Sequence, residues 1–460
     1  MTCRAAIVLA RTGLLAFALF AAGCAGGAAP APSDDGAPRV VDDSGDPATS
    51  PATTGDATDS DNTDGSTPGA ELTASFRGVT PEVIRVGITT VDWDTLAAAG
   101  VDFGRTNDLD LWQAALEDIN SRGGIHGRQI EVHGREFLPL GSEQFDQACV
   151  ELTEDEEVFV AIGQALEDQV LCFTEANDTA AVMVSGMTES LLTRSTAPYA
   201  TLWASFETQA ANMVALAEEE GVLDGATIGV VGSADVGVLE YQSIVDAFGD
   251  AGYDVVEGLI GANDTDLAET ARDQAIVFER MREAGVDLTV STTGVPLEIF
   301  NAQSEGYESE QWLLNVAMTP SALADAGVDL AYLDGALAIV NTPVGTTQQE
   351  AMADDPAVSA CVDMLEAGSD HELSYALDAE ANDLASALYA CAITSILETA
   401  LTAAGPDLTN DSFAAALGAI GPIDLAGYFG ASLESDDLGA AKTLRMASFD
   451  SAAGGWELLD

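Results

Sequence analysis

The sequence predicts an α/β protein built from two lobes, each with a parallel sheet flanked by helices. Three observations support this prediction. Short apolar, β-branched runs alternate with helical stretches from Val83 onward, which is typical of parallel sheets with right-handed crossovers. The alternation breaks near Thr201 and then repeats, so two similar halves face each other across a cleft. The body that remains after the N-terminal segments has about 380 residues, which is more than one typical core.

The first element is an export signal over residues 1–23. Residues 14–24 read LLAFALFAAGC and follow Arg4 and Arg11. This apolar run is shorter than the roughly 20 residues that a membrane-spanning helix needs, and it matches the layout of a secretory signal. Its Ala-Ala-Gly-Cys ending resembles a bacterial lipobox, which implies cleavage and lipidation at Cys24. An ordinary signal peptide with an incidental cysteine is the alternative.

Residues 24–77 are expected to form a disordered acidic tether. Asp, Ser, Thr, Gly and Pro dominate this segment, as in PAPSDDGAPRVVDDSGDPATSPATTGD. Such a composition cannot recover its conformational entropy by burial, and its like charges extend the chain. The tether is therefore predicted to hold the folded body away from a membrane surface.

The charge balance limits the partners of the protein. The formal net charge is -62, from 15 Lys+Arg and 77 Asp+Glu. Nucleic acid is therefore excluded as a partner, because phosphate binding requires basic patches. The sequence has a single lysine, Lys442. An acidic, lysine-poor surface would suit saline surroundings, which is a hypothesis about habitat. After the signal, no apolar run is expected to span a membrane.

Four cysteines remain in the body after Cys3 and Cys24 are set aside. An even number of cysteines in an exported domain predicts two disulfides, and we pair neighbours: Cys149 with Cys172, and Cys361 with Cys391. Four buried free thiols are the alternative. The spacing does not suit a metal, because no C-x-x-C pair or histidine cluster accompanies these residues.

Within the body, apolar β-branched runs predict strands, and stretches with helical periodicity predict helices. The predicted strands are VIRVGITT, RQIEVHGREF, VFVAIG, AAVMVSG, ATIGVVG, DVVEGLI, DLTVSTTG, WLLNVAM and GALAIVNTP. The predicted helices are NDLDLWQAALEDINSRGGI, GSEQFDQACVELTEDE, LEDQVLCFTEAND, YQSIVDAFGDAG and ARDQAIVFERMREAG. Residues 348–419 are expected to be rich in helix.

The order of these motifs resembles the type I periplasmic binding proteins, in the branched-chain amino acid-binding family that feeds ABC importers. The resemblance is carried by LEDINSRGGIHGRQIEV, YATLWASFETQA, VFERMREAGVDLTVSTTG and ALYACAITSILETALTAAG. It implies two Rossmann-like lobes joined by three hinge crossings. The N-terminal lobe is expected over 83–202 with 333–430, and the C-terminal lobe over 203–332 with 431–460.

The same resemblance implies a ligand site built from loops that follow the strands. Phe103 matches the aromatic-Gly element of the family, and Trp93 lies in a first loop that is longer than usual. The acid with which the second lobe of relatives holds an amine has no counterpart in NVAMTP. The predicted ligand-binding residues are Asp92, Trp93, Phe103, Gly163, Gln164, Ser185, Gly186, Thr188, Asp235, Tyr241, Thr292, Thr293, Gly294, Met318 and Thr319.

The resemblance implies a lipid-anchored, monomeric solute-binding protein on the outer face of the cell membrane. It would capture an amino acid, amide or carboxylate between its lobes and deliver it to the permease subunits of an ABC importer. A ligand sensor for a membrane receptor and a secreted α/β hydrolase are the alternatives. The sequence holds no H-E-x-x-H, G-x-S-x-G or phosphate-binding glycine loop, so we expect no catalysis, cofactor or metal.

Overall fold

The structure is a computed structural model, and it describes residues 72–98, 104–139, 142–234, 237–261, 267–292, 296–377 and 383–459. The predicted signal, Cys24 and nearly all of the predicted tether lie outside these residues. The same holds for four of the predicted ligand-binding residues: Phe103, Asp235, Thr293 and Gly294.

Strands and helices alternate along the described chain, as the sequence predicts. The strands are β1 (Val83–Val91), β2 (Gln129–Phe137), β3 (Val160–Gly163), β4 (Ala180–Met183), β5 (Tyr199–Trp203), β6 (Ile228–Ser233), β7 (Val255–Ile260), β8 (Leu288–Ser291), β9 (Gln311–Leu314), β10 (Leu337–Val340), β11 (Gly421–Ile423), β12 (Ala431–Leu433), β13 (Gly439–Ala441), β14 (Arg445–Asp450) and β15 (Gly455–Leu458). The helices are α1 (Trp93–Ala98), α2 (Leu109–Ser121), α3 (Glu143–Val150), α4 (Glu189–Arg194), α5 (Phe206–Glu219), α6 (Val238–Asp250), α7 (Leu267–Ala284), α8 (Pro296–Ser304), α9 (Pro320–Asp325), α10 (Pro356–Gly368), α11 (Leu384–Ala404) and α12 (Asn410–Leu417).

Two large sheets organise these elements and define the two lobes. The first-lobe sheet has the order β13-β5-β4-β3-β1-β2, and all its pairs are parallel. The second-lobe sheet has the order β15-β14-β10-β9-β8-β6-β7, in which β14 runs antiparallel to both of its neighbours. The α/β fold class with parallel sheets flanked by helices is therefore confirmed.

The central strands of the first-lobe sheet are buried on both faces, which explains their continuous apolar runs. In β4, Ala180 and Val182 face one apolar cluster, while Ala181 and Met183 face another. The first cluster includes α2, α10 and α11, and the second includes α3. Successive side chains of a strand point to opposite faces, so strands covered by helices on both sides must be apolar at every position.

The motif that carries the family resemblance has a structural role in the first lobe. Arg128 is fully buried, and its guanidinium donates to the backbone carbonyls of Thr73 (3.0 Å), Thr80 (2.7 Å) and Pro406 (2.9 Å). Gly124 has a φ of +69°, and a Cβ there would lie 1.9 Å from the Arg128 carbonyl. The glycine-arginine pattern therefore fastens distant segments together and does not form a ligand site.

Helix α11 corrects the expectation that no later run could span a membrane. By length and composition alone, its 21 residues are apolar enough to do so. However, 67% of its apolar window is buried within the protein, where side chains such as Ile393, Ile396 and Leu397 pack in the first-lobe core. Its hydrophobicity is therefore that of a core helix.

The chain passes between the two sheets at three places: between β5 and α5, between β10 and α10, and between β13 and β14. Strand β10 belongs to the second-lobe sheet and β13 to the first-lobe sheet. The second and third crossings thus follow residues 340 and 441. They lie later in the chain than the lobe boundaries expected at 332/333 and 430/431.

Both predicted disulfides are confirmed. Cys149 bonds to Cys172 across a separation of 23 residues, and Cys361 bonds to Cys391 across 30 residues. The first bond ties α3 to a π-helical turn at Cys172–Ala176, and the second ties α10 to α11. The segment LEDQVLCFTEAND is therefore not the continuous helix predicted for it, because it begins as a 3-10 turn at Glu167–Val170 before this π turn.

Candidate functional site

A cavity lies where the first two crossings pass between the sheets. It has two compartments of about 190 and 240 Å³ that share Trp203, Val316, Ala317, Asn341, Thr342 and Val344. Trp203 ends β5, while the other shared residues follow β9 and β10. Ligands in open α/β sheets bind beyond the carboxyl ends of strands, so this cavity is where the fold places a binding site.

A guanidinium held between aromatic rings forms the first-lobe wall of the cavity. The Arg105 guanidinium lies 4.5 Å from the ring centre of Trp93 and 5.6 Å from that of Tyr389. Tyr389 in turn meets the Trp203 ring edge-to-face at 6.1 Å. Cation–π contacts and stacking restrict the arginine to one position while its N–H groups remain at the cavity.

Asp108 provides the counter-charge of this arginine from the protein interior. Its carboxylate is fully buried and lies 4.0 Å from the Arg105 guanidinium, which also contacts the Ser386 hydroxyl. Burial raises the pKa of Asp108, and Asp383 acts in the same direction. Arg105, Ser386 and Trp93 oppose that rise. A buried carboxylate needs such partners, so Asp108 holds the arginine in place.

Glu240 supplies an acid to the second-lobe wall. It lies in the first turn of α6 and accepts a hydrogen bond of 2.9 Å from the Asn315 side-chain amide, which also donates to the Thr292 carbonyl at 2.6 Å. Burial raises the pKa of Glu240 to about 7, with the Glu167 carboxylate adding to the rise and the Asn315 hydrogen bond opposing it. An acid therefore reaches this wall from a helix, although the NVAMTP segment carries none.

Several buried polar atoms around the cavity have no hydrogen-bond partner among the described residues. On the first-lobe side these include the Arg105 Nε–H, the Trp203 Nε1–H and the Tyr428 hydroxyl, whose pKa is raised by burial so that it keeps its proton. Next to Arg105, both carboxylate oxygens of Asp108 also lack a hydrogen-bond partner among the described residues. On the second-lobe side the Asn315 Oδ1 is such an atom. Buried polar groups are normally paired, so this concentration requires an explanation such as a bound solute.

A larger groove, of about 490 Å³, lies between α4, α5 and α6. Its polar lining is mainly carboxylates near the surface, such as Glu218, Asp246 and Asp250, together with small hydroxyls. It holds no aromatic side chain among its described lining residues. The cavity at the crossings is the better candidate site, because it combines apolar walls with convergent polar groups.

Three of the predicted ligand-binding residues lie at or beside the cavity. Met318 and Thr319 line it, and Thr319 also caps α9 by accepting from the Ala322 N–H. Thr292 is fully buried and meets the cavity through Asn315. Trp93 contributes indirectly, because it stacks on Arg105.

Other predicted residues of the first lobe have structural roles. Asp92 accepts from the Thr95 N–H and the Asn107 amide, and these bonds lower its pKa despite partial burial. A Cβ on Gly163 would lie 2.2 Å from the Thr89 carbonyl, so this glycine permits a close approach of two strands. The side-chain carbonyl of Gln164 accepts from the Val91 N–H at 3.1 Å.

The remaining predicted residues are placed away from the cavity. Gly186 has a φ of +101° and packs against the Glu167 backbone, next to the half-buried Ser185. Thr188 caps α4 and lines the surface groove. Tyr241 is buried in the second-lobe core, where burial raises its pKa to about 12. Helical periodicity, which turns Tyr241 inward from α6, is the reason that Glu240 and not Tyr241 reaches the cavity.

The sequence prediction missed the main charged groups of the cavity. Arg105 comes directly after the aromatic-Gly element of Phe103, so the resemblance points to Phe103 and not to Arg105. Glu240 could be found only by its position in the first turn of a helix that follows a strand, among 77 acidic residues. Trp203 is absent from the predicted ligand-binding residues, although it lines both compartments.

The comparisons with known proteins agree with this architecture. A possible leucine/isoleucine/valine-binding protein from Rhodopirellula baltica has a TM-score of 0.60 at 16% identity, over 82% of this chain and 96% of that chain. The LivJ substrate-binding protein from Streptococcus pneumoniae in complex with isoleucine has a TM-score of 0.57 at 16% identity, over 82% of this chain and 99% of that chain. A solute-binding protein from Rhodopseudomonas palustris in complex with p-hydroxybenzoic acid has a TM-score of 0.59 at 15% identity, over 82% of this chain and 96% of that chain. No curated protein matches the sequence.

These structural likenesses are at low identity and show the fold. The family is shown by the sequence itself, because a family model described as periplasmic binding protein matches residues 109–454, which is most of the chain. The members of this family bind solutes and are not enzymes, and they act outside the cytoplasm. The chain therefore belongs to the periplasmic binding proteins, and its two-lobed fold is that of type I.

Proposed function

We propose that the protein is an exported, lipid-anchored solute-binding protein that delivers a small dipolar solute to the permease of an ABC importer. The solute class is an amino acid or an amino-acid-like amide or carboxylate. The observation that carries the proposal is the pair of unpartnered N–H donors of Arg105 and Trp203 in the cavity wall, with the unpartnered Asn315 carbonyl as an acceptor in the wall of the second compartment.

The chemistry of the two walls supports a solute with a negative and a positive end. Arg105, Trp203 and Tyr428 offer N–H and O–H donors, which suit a carboxylate. Glu240 and the Asn315 carbonyl offer acceptors, which suit an ammonium or amide group. A solute that bridged these groups would join the lobes and favour a closed form of the hinge.

The solved relatives share the carboxylate end of this solute. One of them holds isoleucine, which is a zwitterion, and another holds p-hydroxybenzoic acid, which has a carboxyl group and no ammonium group. The features predicted in the N-terminal sequence, a lipobox at Cys24 and an acidic tether over 24–77, supply the anchor and the distance from the membrane. The proposal takes the protein as a monomer that meets the permease at the membrane surface.

A thermal-shift screen tests the proposal. The probes are L-leucine, L-glutamine, 4-aminobutyrate, p-hydroxybenzoate and, as a neutral control, glucose. A solute at about 100 times its Kd stabilises the folded state by about 2.7 kcal/mol, which raises the Tm of a body of about 390 residues by roughly 3 °C.

We expect a shift with at least one zwitterion and no shift with glucose. The shift should be lost in Arg105→Lys and Glu240→Gln, and kept in the exposed control Glu219→Gln. A shift that survives in both cavity variants would place the ligand elsewhere. A pull-down of the full chain with its membrane permease, enhanced by the active zwitterion, separates transport from a receptor-coupled sensor.

A further inference from the structure

Glu167 lies in an unusual turn at the edge of the first lobe. It follows β3 and has a φ of +46°, a region that non-glycine residues rarely adopt. The turn packs against Gly186, where a Cβ would lie 3.4 Å from the Glu167 carbonyl. Backbone strain of this kind persists only where the surroundings fix it, and it often marks a functional contact.

The contact in question crosses to the second lobe. The Glu167 carboxylate accepts a hydrogen bond of 2.9 Å from the Leu239 N–H. The backbone N–H of Gly237 also favours the charged form of this carboxylate by hydrogen bonding. Helix α6 begins here, and its N-cap residue Gly237 has no side chain to satisfy the first N–H groups. The Leu239 side chain packs against the apolar cluster of the first lobe. The first lobe therefore caps a helix of the second.

A second contact runs in the opposite direction. Glu207, in the first turn of α5, accepts a hydrogen bond of 3.1 Å from the Glu189 N–H at the start of α4. Carboxylates are favoured at helix N-termini, because the aligned peptide dipoles leave partial positive charge there. Each lobe thus places one carboxylate on a helix start of the other.

We propose that Glu167 is a positioning residue for ligand capture: its carboxylate clasps α6 to the first lobe and so sets Glu240 in the cavity wall. Leu239 and Glu240 are neighbours in the chain, so the bond that fixes Leu239 also fixes where Glu240 enters the cavity. The contact couples closing of the lobes to the shape of the binding site.

The charges around the clasp link it to the solute. Glu240 on α6 and Asp168 on the turn itself are the acidic groups that interact with Glu167 or lie beside it. The carboxylates of Glu167 and Glu240 repel each other, and a positive solute group beside Glu240 would relieve that repulsion. This link rests on the proposed function, whereas the clasp itself can be tested without any solute.

Hydrogen–deuterium exchange of the ligand-free full chain, followed by mass spectrometry, is the test. The variants are Glu167→Ala, Glu167→Gln and the matched control Asp168→Ala, which alters an exposed acid in the same turn. In Glu167→Ala, a peptide covering the start of α6 should exchange about fivefold faster, as expected for loss of one helix cap. Glu167→Gln should restore most of the protection, because its amide oxygen still accepts the Leu239 N–H.

The second lobe gives the decisive readout. A purely local role would accelerate exchange only in the turn around 164–170, whereas the clasp requires the start of α6 to accelerate with it. Unchanged exchange at the start of α6 in Glu167→Ala, or equal acceleration in Asp168→Ala, would overturn the proposal. If Glu167→Ala loses protection throughout the body, Glu167→Gln is compared with Asp168→Ala. Equal protection of the start of α6 in these two variants supports the proposal, and faster exchange there in Glu167→Gln overturns it. None of these outcomes depends on finding the solute.

Discussion

Replacing Glu240 with glutamine should remove a pH dependence of stability that the wild-type carboxyl imposes. Burial raises the pKa of Glu240 to about 7 from an ordinary value of 4.5. Between those two values the folded state holds a proton that the unfolded chain has released. Within this window the unfolded state binds fewer protons than the folded state, so stability falls as the pH rises. Above the window both states have released the proton, and stability no longer changes with pH.

The magnitude follows from the distance between the two pKa values. At about 1.4 kcal/mol per pH unit, the wild-type carboxyl costs about 3 kcal/mol above pH 7. The side chain is only half-buried, and solvent screening reduces this cost to about 2 kcal/mol. Glutamine keeps the oxygen that accepts from Asn315, so the substitution removes the charge and preserves the contact. For a body of about 390 residues, the gain corresponds to roughly 2–3 °C in Tm.

Urea unfolding of the ligand-free protein, followed by tryptophan fluorescence at about pH 5, 6, 7 and 8, measures the effect. The free energy of unfolding of Glu240→Gln should be close to that of the wild type at about pH 5 and about 2 kcal/mol higher at about pH 8. The control Glu219→Gln makes the same change of charge at an exposed position in the same lobe. It removes one charge from a chain of net charge -62 and shows the long-range contribution alone.

The comparison between the two variants decides the result. If Glu240→Gln gains no more than Glu219→Gln at about pH 8, the Glu240 carboxyl is fully hydrated. The cavity would then lack the low polarity that raises the pKa of Glu240 and makes a cationic partner favourable there. A gain that is the same at every pH would refute the reasoning equally, because only a titrating group produces the predicted slope.

Three further predictions concern the cavity and its frame. Arg105→Ala should lower the free energy of unfolding by about 3 kcal/mol, since it leaves Asp108 buried without its counter-charge; chemical denaturation checks this, and adding Asp108→Asn should recover part of the loss. Replacing Cys361 and Cys391 with serine should cost about 3.5 kcal/mol for a loop of 30 residues, measured against the same protein with both disulfides intact. Trp203→Phe should abolish the fluorescence change on solute binding, because Trp203 is the tryptophan among the described residues that line the cavity; a change that persists would show that another tryptophan reports binding.

The fold could be predicted because its determinants are local and repetitive. Runs such as AAVMVSG must be buried on both faces, and this requirement alone indicates a strand in a helix-covered sheet. The strands that escaped prediction are short or less apolar. Tyr199–Trp203 lies at the break between the halves, and Gly439–Ala441 is a three-residue edge strand whose pairing with β5 only the tertiary structure creates.

The site was harder to predict than the fold because its chemistry depends on distant partners. Arg105 is set by Trp93 on one side and by Tyr389, on a helix far along the chain, on the other. Glu240 becomes distinctive only when Asn315 and the neighbouring Glu167 enclose it, and its sequence neighbours do not reveal this. The resemblance points to the ends of strands, and Met318 and Thr319 line the cavity that we propose as the site. It does not indicate which side chains take the places where this chain departs from the family pattern.

The large negative charge of the chain favours a dipolar solute over a simple anion. A net charge of -62 repels anions at long range, although salt at physiological strength screens this field over about 8 Å. Inside the cavity, Arg105 is already balanced by Asp108, so the site as a whole, with Glu240, carries no surplus of positive charge. A zwitterion meets no net repulsion on approach, and each of its ends finds an oriented partner. A monoanion would gain only the Arg105 end and would face the Glu240 carboxylate with its other end, so the two walls together discriminate by charge pattern.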